Sequence, residues 1–230
     1  MTQRAKVVIE VIGEGRADIG PIRTTSEPSE PLPPDRGVVP ILVHKLCGKP
    51  AALLVKCRAL ATLEKGDRAK KVQFAKRQAR LNKSAGVVFV IDSDGDLKDR
   101  SKELIEGRDR EHLDYPAAVG VAHPCIEAWL LADGPAIRRA LELSKTPAVP
   151  DRPEELFAPA RDRTNNPKTV LRDIVGCQQE ELDGSDKDKI AKAMNDMAVV
   201  RDRCPLGFAP FADEVGRHIE PLFQKPCSLA

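Results

Sequence analysis

Three carboxylate side chains stand at alternate positions in the segment Asp92-Ser93-Asp94-Gly95-Asp96, directly after the apolar run Val87-Val88-Phe89-Val90-Ile91. An unbroken run of β-branched and aromatic residues is typical of a strand buried on both faces, as in a parallel sheet flanked by helices. Ligand sites of such sheets lie at the carboxyl ends of the strands. Crowded carboxylates raise one another's pKa values unless a cation neutralises them, and Mg²⁺ prefers oxygen ligands of this kind. The segment therefore indicates a metal site.

Strand and helix patterns alternate around this segment. A first strand over 6–12 ends in the turn Gly13-Glu14-Gly15, and a strand over 117–122 precedes a helix over 125–133 that Pro124 opens. This order favours an α/β fold with a mostly parallel sheet. Further expectations are helices over 38–46, 53–63, 68–83 and 98–112, and an irregular loop over 21–36, which contains five prolines.

The sequence pattern predicts helices in the rest of the chain, after about residue 136. Amphipathic patterns with a period near 3.6 cover 165–175, 187–200 and 208–222. We therefore predict an α/β core over 1–135, with the loop at 21–36 as an insertion, and a C-terminal helical subdomain over 136–230 that packs on it.

A basic row runs along the helix predicted over 68–83. Lys70, Arg77 and Arg80 recur at helical spacing, opposite the apolar positions. Such a row is either a solvated face or a ridge that binds nucleic-acid phosphates beside the acidic segment. The formal net charge of +2 excludes a generally basic protein, so any nucleic-acid surface must be local. Aromatic residues make up 3% of the chain and provide few platforms for base stacking, so contacts to nucleic acid are expected mainly through phosphates.

The composition also restricts the cellular setting. The six cysteines are scattered without a C-x-x-C pair, which favours reduced thiols over zinc ligands or disulfides. The first apolar stretch is too short and too charged for a signal peptide, and no stretch approaches the length of a membrane span. A cytoplasmic protein without a membrane partner is the expectation.

Four kinds of site share an acidic cluster after a strand. A calcium EF-hand needs Gly at the sixth loop position, where this chain has Leu97, and a helix before the loop. A phosphatase of the haloacid-dehalogenase type has its nucleophilic Asp on the first strand, whereas Asp92 lies far along the chain. A glycosyltransferase that holds a metal-bound sugar nucleotide through Asp92 and Asp94 stays open. The fourth is a Toprim site.

Gly13-Glu14-Gly15 after one strand and Asp92-Ser93-Asp94 after another resemble the Toprim fold of topoisomerases, primases and OLD-type nucleases, in which a lone Glu and an Asp-x-Asp pair on neighbouring strands bind Mg²⁺. Blocks between about 7 and 175 are similar to a bacterial Toprim-like family, domain of unknown function 4276. These blocks are Glu14-Gly15-Arg16-Ala17-Asp18, Val39-Pro40-Ile41-Leu42, the run from His123-Pro124 to Ala132-Asp133, and Asn166-Pro167-Lys168. The proline-rich loop and the third carboxylate, Asp96, depart from the general pattern.

The resemblance implies hydrolysis of DNA or RNA with Mg²⁺ or Mn²⁺. In this assignment Asp92 and Asp94 coordinate the metal, and Glu14 is a further ligand or the general base. Glu127 completes a second metal position, and Lys168 neutralises charge in the transition state.

Several roles and partners are left as alternatives. The secondary candidates are Asp96, as a metal ligand, Asp18, and His123, as a ligand, a base, or a capping or packing residue. Small Toprim-like proteins of this kind are similar to effectors of bacterial anti-phage systems, which often work with a separately encoded ATPase; this chain has no Walker motif of its own. A non-catalytic Toprim-like interaction module is the main alternative function.

Overall fold

The computed structural model describes residues 6–20, 30–63, 66–110, 115–157, 165–176 and 184–224. They form an α/β fold in which helices flank a four-stranded sheet, as the sequence predicts. The strands are β1 (Val7–Gly13), β2 (Leu53–Ala59), β3 (Gly86–Asp92) and β4 (Ala117–Ala122). The helices are α1 (Arg16–Ile19), α2 (Val38–Leu46), α3 (Arg68–Leu81), α4 (Leu97–Asp109), α5 (Ile126–Leu131), α6 (Gly134–Ala140), α7 (Pro167–Val175), α8 (Gly184–Ala193), α9 (Met197–Arg203), α10 (Phe208–His218) and α11 (Pro221–Gln224), with 3₁₀ turns at Leu60–Thr62 and Pro153–Glu155.

All four strands are parallel, in the order β2-β1-β3-β4. Ile12 pairs with Phe89 across β1 and β3, and Asp92 pairs with Ala122 across β3 and β4. Because parallel strands end at the same edge of a sheet, the residues that follow β1, β3 and β4 come together there. The fold thereby gathers the sequence-distant acidic segments at one edge.

The helix predicted over 53–63 is wrong, because the segment forms β2 and the 3₁₀ turn that follows it. Its Leu, Ala, Lys and Arg residues have good helix propensity, but Leu53, Val55 and Cys57 are buried at alternate positions against the neighbouring layers. Pairing of the whole strand with β1 outweighs the local preference.

One predicted helix is divided in two. The pattern over 187–200 is split between α8 and α9, and the carboxylate of Asp196 accepts the backbone N–H groups of Ala198 and Val199 at 2.9 and 3.4 Å. An Asp that caps a helix in this way starts a new helix and interrupts the preceding one. In the loop predicted over 21–36, residues 21–29 lie outside the described residues, while Leu32 exchanges two backbone hydrogen bonds with Val55 at the edge of β2.

The sheet is covered on both faces by apolar clusters. Phe89 and Leu104 belong to the cluster beneath α3 and α4, and the larger cluster joins α2 and the helices from α5 to α10 to the other face. At its centre the Trp129 ring stacks on Phe211, with ring centroids 5.3 Å apart. The described elements from Gly134 onwards are all helical, and they help to build the main core.

The cysteines and the lengths of the helices can be compared with the sequence predictions. Cys47, Cys57, Cys125 and Cys204 are buried and form no disulfide, and the other two cysteines lie outside the described residues. Within the described part of the chain, no helix has the length and apolar character needed to cross a membrane.

A buried carboxylate fixes the start of α10. Glu154 is 1% exposed and accepts the backbone N–H groups of Leu206, Gly207 and Phe208 at 2.6, 2.8 and 3.1 Å. The first N–H groups of a helix have no partner within the helix, so one side chain here satisfies several of them. The contact joins the 3₁₀ turn at Pro153–Glu155 to the C-terminal helices.

We expect Glu154→Ala to lower the free energy of unfolding by about 2–4 kcal/mol, because it leaves buried N–H donors without an acceptor. Urea denaturation followed by circular dichroism measures this change. The matched control is Glu155→Ala, which removes the neighbouring exposed carboxylate and its surface pair with Arg152. A surface pair of this kind contributes at most about 1 kcal/mol. Equal losses in the two variants would contradict the structural role of Glu154.

Candidate carboxylate site

Acidic residues from three elements meet at the carboxyl edge of the sheet. Glu14 directly follows β1, Asp92 is the last residue of β3, and Glu127 lies in the first turn of α5, after β4. The close packing at the end of β1 requires Gly13, since a Cβ there would lie 2.5 Å from Ile19 Cγ2. The chain therefore turns sharply after β1 and brings α1 over the same edge.

Asp92 is held between β3 and α5. Its Oδ1 accepts the backbone N–H of Ile126 at 3.1 Å, and its Oδ2 lies 3.8 Å from the Nζ of Lys168, at the start of α7. The side chain is 14% exposed. Burial, together with the carboxyl groups of Glu127 and Asp18, raises the pKa of Asp92 to about 8, although Lys168 opposes the shift.

Glu127 has the closest ion pair of the site. Its Oε1 lies 2.6 Å from the Nζ of Lys187, which comes from α8 and lies 3.8 Å from the Oδ1 of Asp18. Burial alone would raise the pKa of Glu127, but Lys187 and Lys168 outweigh it and hold the pKa below its usual range. The Oε2 atom is buried and receives no N–H or O–H donor, and the neighbouring Cys125 thiol also lowers the pKa of Glu127.

Asp18 and the two lysines complete the electrostatic balance. Burial, together with repulsion from Glu127, raises the pKa of Asp18 to about 6, against the attraction of Lys187. Burial would lower the pKa of Lys168, yet Glu127 and Asp92 raise it, and the pKa of Lys187 is raised in the same way by Glu127 and Asp18. Both ammonium groups are therefore retained, while burial, and after it the negative charge of the neighbouring carboxylates, raises the pKa values of Asp92 and Asp18.

The two aspartates of the Asp-x-Asp pair have different surroundings. Asp94 is 65% exposed, and its Oδ2 lies 2.9 Å from the Nη1 of Arg100 in α4. Arg100 also donates to the main-chain oxygen of Asp92. Asp94 adopts φ +46°, a conformation that Asp tolerates better than most residues. Asp96 is exposed at the position before α4, where its side chain makes no capping hydrogen bond.

The carboxyl group of Glu14 is near enough to Asp94, Arg100 and Lys168 for their charges to affect its pKa. The residue is exposed at the surface, yet partial burial of its carboxyl raises the pKa, Asp94 raises it further, and Arg100 opposes the shift. Among the described residues, no group of three or more His, Cys, Asp or Glu side chains has the arrangement of a metal site. The predicted set of Glu14, Asp92 and Asp94 is therefore not assembled around one point in this structure.

His123 supports the turn. Its Nδ1 lies 2.8 Å from the Oγ of Ser93, and Ser93 donates its backbone N–H to Ala122 at 2.8 Å. Burial lowers the pKa of His123, which favours the neutral imidazole. The contact joins two turns and is not a helix cap, since α5 begins after Cys125 without a side-chain cap.

The predicted basic row lies along α3. Lys70, Arg77 and Arg80 are all exposed, and Lys70 pairs with Asp67 at 3.5 Å. Only the first turn of α3 is near the carboxylates, where Arg68 lowers the pKa of Glu14. At 1.5 Å per residue, Arg80 lies about 15 Å further along the helix axis than Lys70. The row therefore leads away from the site.

Two residues of the site were not identified from the sequence. Lys187 stands in a charged run at the start of α8, and Arg100 stands in a helix expected to be exposed. Both side chains are mostly buried, at 8% and 13% exposure. Their roles come from tertiary packing, and no local sequence signal marks them.

A cavity of about 350 Å³ between α4 and α10 lies apart from this site. It is lined mainly by apolar side chains, among them Leu104, Val121 and Phe211, and it contains none of the candidate residues. Comparison of the chain with protein-family models, with curated proteins and with solved structures gives no match.

We expect Asp92→Asn to stabilise the metal-free protein increasingly as the pH rises from 5 to 9. A carboxyl group whose pKa is raised by folding, here to about 8, stabilises the fold at low pH and loses that contribution as the pH passes the folded-state pKa. Asn keeps the acceptor for Ile126 and cannot ionise, so the difference at pH 9 is on the order of a few kcal/mol.

Thermal unfolding in EDTA across this pH range measures the difference. Asp202→Asn, which changes an exposed carboxylate of α9, is the matched control and should follow the wild-type profile. If Asp92→Asn is destabilised equally at pH 5 and pH 9, the carboxylate is stabilised as an anion and the prediction is wrong.

Proposed function

We propose that this protein is a Toprim-like enzyme that hydrolyses phosphodiester bonds of DNA or RNA with Mg²⁺ or Mn²⁺. The observation that carries the proposal is the meeting of Asp92, Glu127 and Asp18 with Lys168 and Lys187 at the carboxyl edge of a parallel sheet. Neighbouring strands β1 and β3 carry Glu14 and Asp92, as the Toprim resemblance expects. Carboxylates beside lysines suit a reaction in which both a cation and a phosphate are bound.

Two carboxylates of the site have oxygen atoms that suit a hard divalent cation. Glu127 has a buried oxygen that receives no N–H or O–H donor, and Asp92 Oδ2 is beyond hydrogen-bond distance of Lys168. Asp92 and Glu127 are the residues we assign to the metal, with Asp18 and Glu14 beside them. A divalent cation supplies an acidified water and neutralises charge on the phosphate. Asp94, paired with Arg100, is assigned to the turn that positions Asp92.

Two further residues have roles that their surroundings support. Glu14 is exposed and its pKa is raised, so its carboxylate is a stronger base than an ordinary Glu. Lys168 keeps its proton beside Asp92 and is half exposed, at 48%, so its ammonium group is available to a phosphate oxygen. Glu14 is therefore the proposed general base and Lys168 the proposed cation at the phosphate.

The biological role follows the resemblance. We extend the proposal to an effector of anti-phage defence that acts with a separately encoded ATPase; the chain has no Walker motif, so ATP use would come from that partner. Reconstitution with the product of a neighbouring ATPase gene belongs in every cleavage assay described below.

One observation favours a non-catalytic interaction module as the alternative. Lys187 already pairs with Glu127 and Asp18, and Lys168 lies beside Asp92, so the cluster has cations without a metal. In a non-catalytic module these ion pairs would have only the structural role of connecting the sheet to α7 and α8. Metal binding separates the two functions.

We expect saturating Mg²⁺ or Mn²⁺ to raise the melting temperature of the wild type and of Asp202→Asn, and to have little effect on Asp92→Asn. Binding at 100 times Kd stabilises the fold by about 2.7 kcal/mol, at roughly 2–4 °C per kcal/mol for a chain of this size. Equal shifts in all three proteins would place the metal elsewhere.

For cleavage of DNA or RNA, we expect Glu14→Gln to lower the rate by about 10²–10⁴-fold while the metal-dependent stabilisation is kept, because the variant loses only a base. Asp92→Asn should lose both. Single-turnover assays with labelled DNA and RNA provide the rates. No cleavage by the wild type with either metal, alone or with the ATPase, would reject hydrolysis and leave the interaction module.

Lys187→Met provides an independent test of the charge balance. Removing one partner of a buried ion pair leaves an uncompensated carboxylate and lowers stability by about 3–5 kcal/mol in EDTA. If the carboxylates bind metal, Mg²⁺ should restore more stability to this variant than to the wild type. Lys189→Met, on the same helix, removes an exposed ammonium group that pairs with Asp186 and is the control. A Lys187→Met protein that Mg²⁺ does not stabilise would contradict metal binding by Glu127.

A further inference from the structure

Phe157 is the single exposed aromatic residue among those that the structure describes. It is 48% exposed, whereas the rings of Phe89, Trp129, Phe208 and Phe211 are buried in the core. Ring contacts in the described part of the chain join Trp129, Phe208 and Phe211 only, so no other aromatic ring there stacks on Phe157. Its faces are thus not used by the aromatic core.

The end of this ring lies against the acidic turn. A Cβ on Gly95 would lie 2.6 Å from Phe157 Cζ and 2.9 Å from its Cε2. Gly95 also has φ +91°, so both the backbone and the ring require glycine at this position. Phe157 therefore borders the turn that carries Asp92, and it contacts that turn through its edge.

The backbone before Phe157 is firmly held. Its N–H donates to the carbonyl of Glu155 at 3.0 Å, and the adjacent Glu154 is anchored by three backbone N–H groups at the start of α10. Leu156 packs against the main apolar cluster. The ring is thus presented from a fixed support next to the site.

Cations lie close to the same turn. Arg100 pairs with Asp94 at 2.9 Å, and Lys168 lies 3.8 Å from Asp92. A flat apolar surface beside cationic groups matches the two parts of a nucleotide, since bases stack on aromatic rings and phosphates pair with Arg and Lys. Bases inside a duplex are already stacked, so only an unpaired base can use such a surface.

We propose that Phe157 is a stacking platform for an unpaired nucleobase, which makes single-stranded nucleic acid the substrate class of this site. The inference rests on the proposed function for the role of the neighbouring carboxylates. It also gives an exposed residue outside the Toprim-like blocks a role in selecting single strands over duplexes.

The test is binding of single-stranded DNA and RNA oligonucleotides that contain 2-aminopurine, whose fluorescence falls when it stacks, in EDTA so that no cleavage occurs. The wild type should quench the fluorescence on binding, Phe157→Tyr should do the same, and Phe157→Leu should lose the quenching and bind roughly 5- to 100-fold more weakly. Phe223→Leu on α11 is the matched control. It carries the same substitution at the opposite end of the sheet, where neighbouring Leu222 approaches Gly86 at the start of β3.

The outcomes distinguish failure of base stacking by Phe157 from failure of the proposed hydrolysis. Equal quenching and affinity in the wild type and Phe157→Leu, or equal affinity of the wild type for duplex and single strand, would overturn the inference even if the protein cleaves nucleic acid. Quenching that depends on Phe157 in a protein that cleaves nothing with Mg²⁺ or Mn²⁺ would uphold the inference and reject hydrolysis. Equal melting temperatures of the Phe157 variants verify that the fold is unchanged, as expected for a half-exposed side chain.

Discussion

Lys187 and Lys168 bring positive charge to carboxylates that the sheet carries into poorly solvated surroundings. A buried carboxylate without a partner is unstable as an anion, so the ends of β1 and β3 and the start of α5 depend on α7 and α8 for their charge balance. The same helices contribute Leu171 and Ile190 to the main core. Packing and electrostatics therefore fix the C-terminal helices against the same side of the α/β layer.

Much of the sheet is predictable from local pattern. The continuous apolar run of β3 and the short run of β4 have no polar alternation, which is the signature of strands covered on both faces. The helix prediction over 53–63 rests on the apolar stretch alone, whereas the alternation of Val55 and Cys57 with Lys56 and Arg58 is typical of the strand that the structure shows. Arg58 is 4% exposed and lies 3.7 Å from Glu10 of β1. This ion pair between neighbouring strands cannot be predicted from the local sequence pattern.

The candidate site, like the sheet, can be predicted from the sequence only in part. The positions of Glu14 and Asp92 follow from strand ends, because parallel strands bring their carboxyl ends together. The separation of Asp94 from Asp92 depends on Arg100, whose side chain reaches back from α4 to the turn. Lys187 is separated from Glu127 by 60 positions in the chain, so their contact is set by how α8 packs on α1, α2 and α6. Residues that neutralise charge across helices are found only when the packing is known.

The charge balance also bears on how many metals the site holds. Asp94 is matched by Arg100, and Arg68 by Glu103, which leaves Glu14, Asp18, Asp92 and Glu127 against Lys168 and Lys187. When all are ionised, the two lysines offset half of the four negative charges, and one divalent cation neutralises the remainder. A second divalent cation would leave the protein groups with excess positive charge, which only the phosphates of a bound substrate would balance. On the proposed function, the free enzyme therefore binds one metal at Asp92 and Glu127, and a second metal binds only with nucleic acid present.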